Sequence, residues 1–536
     1  MHKKYFFILI SLCFIHSCGQ NISPVDSGLE NQIFHFGNGA EPQGLDPHIV
    51  TGVPEHHLLI SMCEGLTSSN PKGGESLPGA AESWEISNDG KKYTFFLNKN
   101  GKWSNGDPVT ASDFVWSWKR ILTPSLGSQY PDMLYYVTGA YEFHNEINNN
   151  FDNVGVKAID DFTLEVNLKN PTPFFLGLLS HYSTWPVHKE TVLKYGDIDD
   201  RNGEWTRPGN FVCNGPFQLK SWELNSKIIV DKNPFYWDAK KVKLNEIHFY
   251  PVQNTMTEDR MFRAGQLHLT SSLPSQKCPI YIEENNPNLR IDPYMGTYFY
   301  RFNTKHPVLK DVKVRKALAY AINRTQLVEK VTKCGQIPAY SFTPPGSAGY
   351  QPDTEIKYDP LLAKQLLVEA GYSNPEDFPK LEILFNTNED HRKIALAIQQ
   401  MWQTTLGIEV ELVNQDWKVY LNREMIGDFQ VSRAGWIGDY EDPNTFLDTL
   451  RPNRGNNKTG WENKKYDDLL ELANSTNDTE KRYNLLMQAE RILIDEMPIV
   501  PLYTYVRSYQ LSEDVKGYFP NYLDHHHPKY IYLERD

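Results

Sequence analysis

The sequence predicts an α/β fold divided into two or three domains joined by strand crossovers. Three observations carry that expectation. Segments with β alternation and segments with apolar residues at helical spacing interleave along the whole chain, which is the pattern of α/β architecture. A chain of 536 residues, 40% of them hydrophobic, can bury more than one core. No linker rich in Pro and Ser separates the parts, which points to domains tied by crossing strands and so to a hinged clamp.

The elements follow in order. Residues 1–17, MHKKYFFILISLCFIHS, read as a signal peptide: Lys3 and Lys4, an apolar run over 5–15, then the small Ser17 before Cys18. The run is too short to span a bilayer, and no other segment approaches the roughly 20 apolar residues a span needs. Ser17-Cys18 resembles a lipobox, although His16 is an unusual occupant, so Cys18 is the expected lipidation site. Residues 18–29 form a polar tether. QIFHFG reads as a strand, and PEHHLLISMCEGL from Pro54 as a helix. KKYTFFLNKNGKWSNGDPVTASDFVWSWKRIL gives strand, turn and helix, with Thr110 or Ser112 as N-cap. FTLEVNL, KIIVDKNPFYW, EIHFYPV and LEILFN read as strands, while DVKVRKALAYAINRTQLVEKV reads as one long helix, followed by LLAKQLLVEAGY and RKIALAIQQMWQTTLG as further helices.

Composition excludes some functions. With 67 acids against 54 bases and a formal charge of -13, the chain lacks the basic balance of a nucleic-acid groove. Its 30 Tyr, 26 Phe and 12 Trp exceed what a core needs and suit a ligand cleft. The cysteines at 63, 213, 278 and 334 form no CxxC pair and no metal-site spacing, and are expected to be buried thiols.

Catalytic and cofactor motifs fail one by one. PPGSAGY lacks the spacing of a GxSxG elbow around Ser347. DIDDRNG puts Arg201 where a calcium loop needs an oxygen ligand. There is no P-loop, HExxH or GxGxxG, so neither a cofactor nor a metal is expected. DHHHP at 524–528 holds consecutive histidines that diverge in direction and reads as a solvated loop. Glu441 and Asp442 are adjacent acids and read as charged surface rather than a glycosidase pair.

AESWEISNDGKKYTFFLNKNGKWSNGDPVTASDFVWSWKR, with EPQGLDPHIVTGVPE, VGVKAIDDFTLEVNL, CNGPFQLKSW, DVKVRKALAYAINR, LVEAGY and NQDWKVYLNREMIGDFQVSRAGWIGDYEDP, resembles the peptide-binding components of bacterial ABC importers. This is the oligopeptide, dipeptide and nickel group of solute-binding proteins, family 5, cluster C. The resemblance covers nearly the whole mature chain and lies nearest the oligopeptide-binding branch.

That resemblance implies two lobes closing over a ligand: lobe I from 30–63, 189–294 and 507–536, an additional domain over 64–188, and lobe II over 295–506, with crossovers near Tyr294 and Val506. It implies an extracytoplasmic lipoprotein of the periplasm or cell surface. Such a protein is a monomer that binds short peptides for a membrane permease and needs no cofactor. By the same resemblance Asp439 pairs with the peptide ammonium, and residues 435–437 (Gly435, Trp436, Ile437) run beside the peptide, with 51–53, including Val53, on its other face. Trp417 and Trp436 wall side-chain pockets, Arg433 and His391 meet the carboxylate or lie along the ligand's path, and Tyr130 and Tyr294 match pocket positions. The family's oligopeptide binder has acids where Thr51 and Arg301 stand, and a cysteine pair where Gly296 and Ile437 stand. Arg301 therefore turns the expected pocket toward acidic peptides. Murein peptides, dipeptides, haem or a nickel complex as ligand, and a chaperone or adhesin role, remain open at this point.

Overall fold

The computed structural model describes residues 22–201 and 203–536, so the signal peptide and Cys18 lie outside the described residues. Among these residues no helix is long and apolar enough to cross a membrane. Three main sheets organise the chain. A four-stranded sheet runs in the order Ile33–Gly37, Glu246–Tyr250, Lys227–Lys232, Phe217–Glu223. An antiparallel sheet of Ala81–Ile86, Lys92–Leu97, Thr163–Asn167 and Val156–Asp160 is inserted in sequence between Ile33–Gly37 and Phe217–Glu223 of the first. A mixed six-stranded sheet runs Ile337–Pro338, Ile499–Gln510, Leu289–Phe302, Val431–Ile437, Leu381–Asn386, Val410–Gln415.

Apart from Tyr440, one core draws on residues between Phe34 and Leu269 and between Tyr509 and Leu533. Two further clusters draw on residues between Met295 and Tyr503. Leu289–Phe302 and Ile499–Gln510 run antiparallel from one region to the other, and their register shifts between Pro293 and Thr297. A proline lacks the donor for a ladder bond, so a break in register beside Pro293 is where this pair bends most readily.

Most expected elements form, with instructive differences. Thr110 caps the helix Ala111–Leu122, and Asp113 Oδ2 accepts from Thr110 N at 2.8 Å. The tether is not all tether: Ser23 accepts from Asp26 N and starts the helix Pro24–Asn31. The expected long helix after Asp311 is broken into Val312–Tyr320, Arg324–Leu327 and a π-turn over Val328–Thr332. Asn323 accepts from Gln326 N at 2.9 Å and restarts the helix, while buried Arg324 donates to the carbonyls of Ala319 and Ile322.

Three further expectations are corrected. The cysteines are not thiols: Cys63–Cys213 and Cys278–Cys334 are disulfides, with Cα atoms 5.2 and 5.5 Å apart. DHHHP is no solvated loop: Asp524, His525 and His527 are buried, and Asp524 takes Arg507 Nε and His526 Nε2, each at 2.8 Å. His525 and His527 contact Ser69 and Ser68 at 2.8 and 3.1 Å. Asp442 is buried in a two-point pair with Arg482 at 2.8 and 2.7 Å, and only Glu441 is exposed. Each misreading has one physical cause, since a satisfying partner stands 17 to 459 residues away in sequence.

Candidate functional site

A cavity of about 380 Å³ lies between the two core regions. It gathers ten of the eleven expected ligand residues: Asp439, Arg433, Gly435, Trp436, Ile437, Trp417, His391, Tyr130, Tyr294 and Val53. Arg301 alone is absent from it and lines an adjoining chamber. Residues far apart in sequence, from Val53 to Asp439, thus converge on one space.

The strand Val431–Ile437 forms one wall. One edge pairs over its whole length with Leu289–Phe302, from Val431 opposite Phe302 to Ile437 opposite Gly296. The other edge pairs with Leu381–Asn386 only at Val431 and Ser432. Over 433–437 no strand among the described residues covers that second edge, which faces the cavity. A buried strand edge is a template for an added strand. Gly435 is half-buried on this wall, and a Cβ there would strike the Tyr505 hydroxyl, so the position needs glycine. Gly296 and Ile437 are direct partners across the ladder, where a disulfide is absent.

The charges at the two ends of this edge are the site's main chemical feature. Asp439 is 11% exposed, and its Oδ1 lies 3.3 Å from His181 Nε2. His181 Nδ1 accepts from Ser183 N at 3.4 Å, so the ring proton sits on Nε2 and points at the carboxylate. Burial drives the His181 pKa well below its ordinary value. The contact is therefore a hydrogen bond from a neutral imidazole, not an ion pair. Burial first, and the nearby Asp132 second, push the Asp439 carboxyl well above the usual range. No lysine or arginine among the described residues pairs with it. At the other end Arg433 donates to Asn386 Oδ1 at 3.2 Å and to Tyr505 Oη at 3.1 Å, and stacks 4.9 Å from the Tyr298 ring. Its Nε is buried without a partner, and no carboxylate among the described residues lies within ion-pair distance.

Aromatic residues build the side walls. Tyr130 packs on His181 at 4.8 Å and stands 6.5 Å from Trp436, whose Nε1 donates to Thr445 O at 2.8 Å. Tyr294 lies 5.9 Å from Tyr505, and Trp417 stacks on Tyr420 at 5.7 Å. His391, in the first turn of Glu389–Leu406, is held neutral by burial and by the Arg433 charge, and its ring lies 5.6 Å from Tyr298. Val53 opens the helix Val53–Met62 and is 40% exposed toward the cavity. His181, Tyr505, Asn386 and Arg507 also line the cavity. Sequence reasoning missed them because nothing local marks an isolated Tyr, Asn or His as facing a distant strand edge. Among the described residues no group of three or more His, Cys, Asp and Glu is placed to hold a metal.

Comparison with known proteins agrees with this geometry. Residues 75–458 match the family described as bacterial extracellular solute-binding proteins, family 5 Middle. The oligopeptide-binding protein OppA of Bacillus subtilis is 38% identical over 526 residues, covering 96% of this chain and 94% of that protein. Haemophilus influenzae OppA in complex with RPPGFSPFR superposes with a TM-score of 0.90 at 36% identity, covering 94% of this chain and 99% of that one. The Escherichia coli murein tripeptide binding protein MppA also gives 0.90, at 35% identity, with the same coverage. Its unliganded open form gives only 0.64 at the same identity, so the lobes here are arranged unlike that open form. The chain belongs to the bacterial extracellular solute-binding proteins, family 5.

Proposed function

We propose that the protein captures short peptides between its lobes outside the cytoplasm and delivers them to an ABC importer, performing no chemistry on them. One observation carries the reading: an uncovered strand edge, 433–437, ends in two opposite charges that the protein itself leaves uncompensated, Asp439 and Arg433. A peptide is the complement of that pattern, with its ammonium, a backbone that can add a strand, and its carboxylate. Six residues of extended chain separate the two anchors by at most about 20 Å, and a peptide of three to five residues spans about 10–17 Å. The relatives, which include oligopeptide- and murein peptide-binding proteins, support the same ligand class.

In this reading Asp439 holds the ammonium and Arg433, with His391, meets the carboxylate. Gly435, Trp436 and Ile437 pair with the backbone, Val53 flanks the other face, and Tyr130, Tyr294, Trp417 and Trp436 enclose side chains. Lobe I takes 30–63, 189–294 and 507–536, the additional domain 64–188 and lobe II 295–506. Cys18 carries the lipid that tethers a monomer to the membrane. Cys18→Ser is expected to release the protein from membranes; a normally processed, membrane-bound variant would refute that anchor.

The decisive experiment is calorimetric titration with trialanine and with trialanine blocked by acetyl and amide groups. The free peptide is expected to bind and the blocked one to bind at least 100-fold more weakly, since charge-assisted contacts at both ends are lost. Equal affinity for the two would refute the reading.

A further inference from the structure

Beside the strand edge the main cavity meets a second chamber of about 120 Å³. Thr51, Trp417, Arg433, Gly435 and Trp436 line both spaces. The chamber is thus a side pocket of the same site, sharing this wall with the main cavity.

Its own charged lining is lopsided: Arg301, Lys458 and Arg201 contribute three cations and Glu424 the single acid. The Arg301 side chain is 11% exposed, and its Nη1 stands 3.5 Å from Glu424 Oε1. That oxygen already accepts a 2.7 Å hydrogen bond from Ser432 Oγ, so the contact with Arg301 is long and one-sided. Among the described residues no other carboxylate lies within ion-pair distance of Arg301. Lys458 donates to Gln129 Oε1 and Gly455 O, two neutral acceptors, and pairs with no carboxylate among the described residues. Burial and then the Arg301 charge lower its pKa to about 8, which reports how poorly the ammonium is compensated there. Arg201, at the exposed rim, donates to the carbonyls of Leu126 and Gly127. Two largely buried cations against one carboxylate leave a net positive chamber, and a neutral guest would leave it so.

We propose that this chamber receives a carboxylate side chain, so that the protein selects peptides with an aspartate- or glutamate-type residue at one position, with Arg301 and Lys458 as its specificity-determining residues. The proposal rests on the peptide reading above. A guest carboxylate meets the planar fork of Arg301 at two points and the Lys458 ammonium at a third. A lysine guest adds a further cation to a desolvated cationic space and is excluded by it.

The test is a position scan of trialanine, placing Glu, Gln or Lys in turn at each of the three positions and titrating calorimetrically. At one position Glu is expected to bind at least 10-fold more tightly than the isosteric Gln, and Lys more weakly than either. In Arg301→Met the Glu-to-Gln ratio at that position falls to about 1, and in Lys458→Met it falls several-fold. Because the readout is a ratio within one variant, a loss of folded protein does not imitate it. A γ-linked D-glutamyl counterpart run alongside separates an ordinary acidic peptide from a cell-wall peptide as the carboxylate's source. Dependence of either ligand on Arg301 supports the chamber. Equal binding of Glu and Gln at every position, or a ratio that survives both variants, overturns this proposal and leaves peptide binding intact. Failure of every tripeptide to bind overturns both.

Discussion

Replacing Asp439 by Asn removes a charge while keeping shape, and the structure fixes what else survives. The backbone bond from Asp439 N to Thr445 Oγ1 at 3.0 Å is untouched, and an amide oxygen can still accept from His181 Nε2. What goes is the attraction for an ammonium, about 4 kcal/mol at 4 Å in an effective dielectric of 20. Desolvation of both groups offsets part of it, and truncating one member of a buried charged pair typically costs about 2–5 kcal/mol. The affinity for trialanine should therefore fall by about 30-fold to several thousand-fold. Stability should move the other way. The folded-state pKa of Asp439 is raised, so its ionised form is a liability at neutral pH, and the Asp439→Asn protein without peptide should melt at or above the parent temperature. Calorimetry and thermal melts on the same preparations measure both effects. The control is N-acetyl-trialanine: if Asp439→Asn weakens it as much as the free peptide, the carboxylate does not hold the ammonium.

Three further outcomes are expected. Cys63–Cys213 spans a sequence separation of 150 and Cys278–Cys334 one of 56, and loop-closure entropy assigns them about 5 and about 4 kcal/mol. Replacing either pair by Ser should lower the melting temperature by several degrees, the first pair more; melting insensitive to both replacements would contradict the pairing. His35, His48, His56, His57 and His268 have pKa values depressed by burial to about 3–4, so their stabilising contribution is present above pH 6.5 and lost as pH falls toward those values. Glu55, Glu258 and Glu490, raised by burial to about 7, act oppositely, stabilising below about pH 4.5 and losing that as pH rises through 7. The histidines outnumber them, so the melting temperature should rise between pH 4.5 and 6.5, and a falling profile there would refute this balance. Gly435→Val drives a branched side chain against Tyr505, which lines the cavity; overpacking of about 1–3 kcal/mol should lower the melting temperature and, by displacing Tyr505 beside the strand edge, weaken peptide binding at least fivefold. Undiminished affinity would show that ligand does not run beside Gly435.

Much of the fold was legible because its signals are local. Alternation in KIIVDK and EIHFYPV, the Thr110 cap and the spacing in RKIALAIQQMWQTTLG each specify an element from its own residues. The misread places were decided by distant partners. Asn323 restarts a helix whose apolar spacing continues unbroken, and Arg324 holds the break by donating to Pro501 O, 177 residues away, at 2.7 Å as well as to the freed carbonyls. Cys63 and Cys213 meet only because the end of Val53–Met62 returns beside residue 214, as Glu64 N bonding Asn214 Oδ1 at 3.0 Å shows. The candidate site followed the same division. The loop around Gly435 and Asp439 drew notice by its residue types, whereas His181, Tyr505 and Lys458 contribute solely through where the chain puts them.

The same unpaired charges explain why closure should wait for ligand. When the lobes approach as they do here, Asp439 meets a neutral imidazole and Arg433 meets an amide, a hydroxyl and an aromatic face, so each charge is desolvated without an ionic partner from the protein. Such burial costs several kcal/mol per ion unless a counter-charge arrives. With the lobes apart, water solvates both groups at no such cost. A zwitterionic peptide changes the sign of the comparison by supplying an ammonium at one end, a carboxylate at the other and a strand for the edge at 433–437. Its differential affinity for the closed state is what shifts the population. In the proposed function the uncompensated charges are thus what makes closure depend on ligand: a site that satisfied them internally would close as readily without ligand, and a permease could not tell a loaded receptor from an unloaded one.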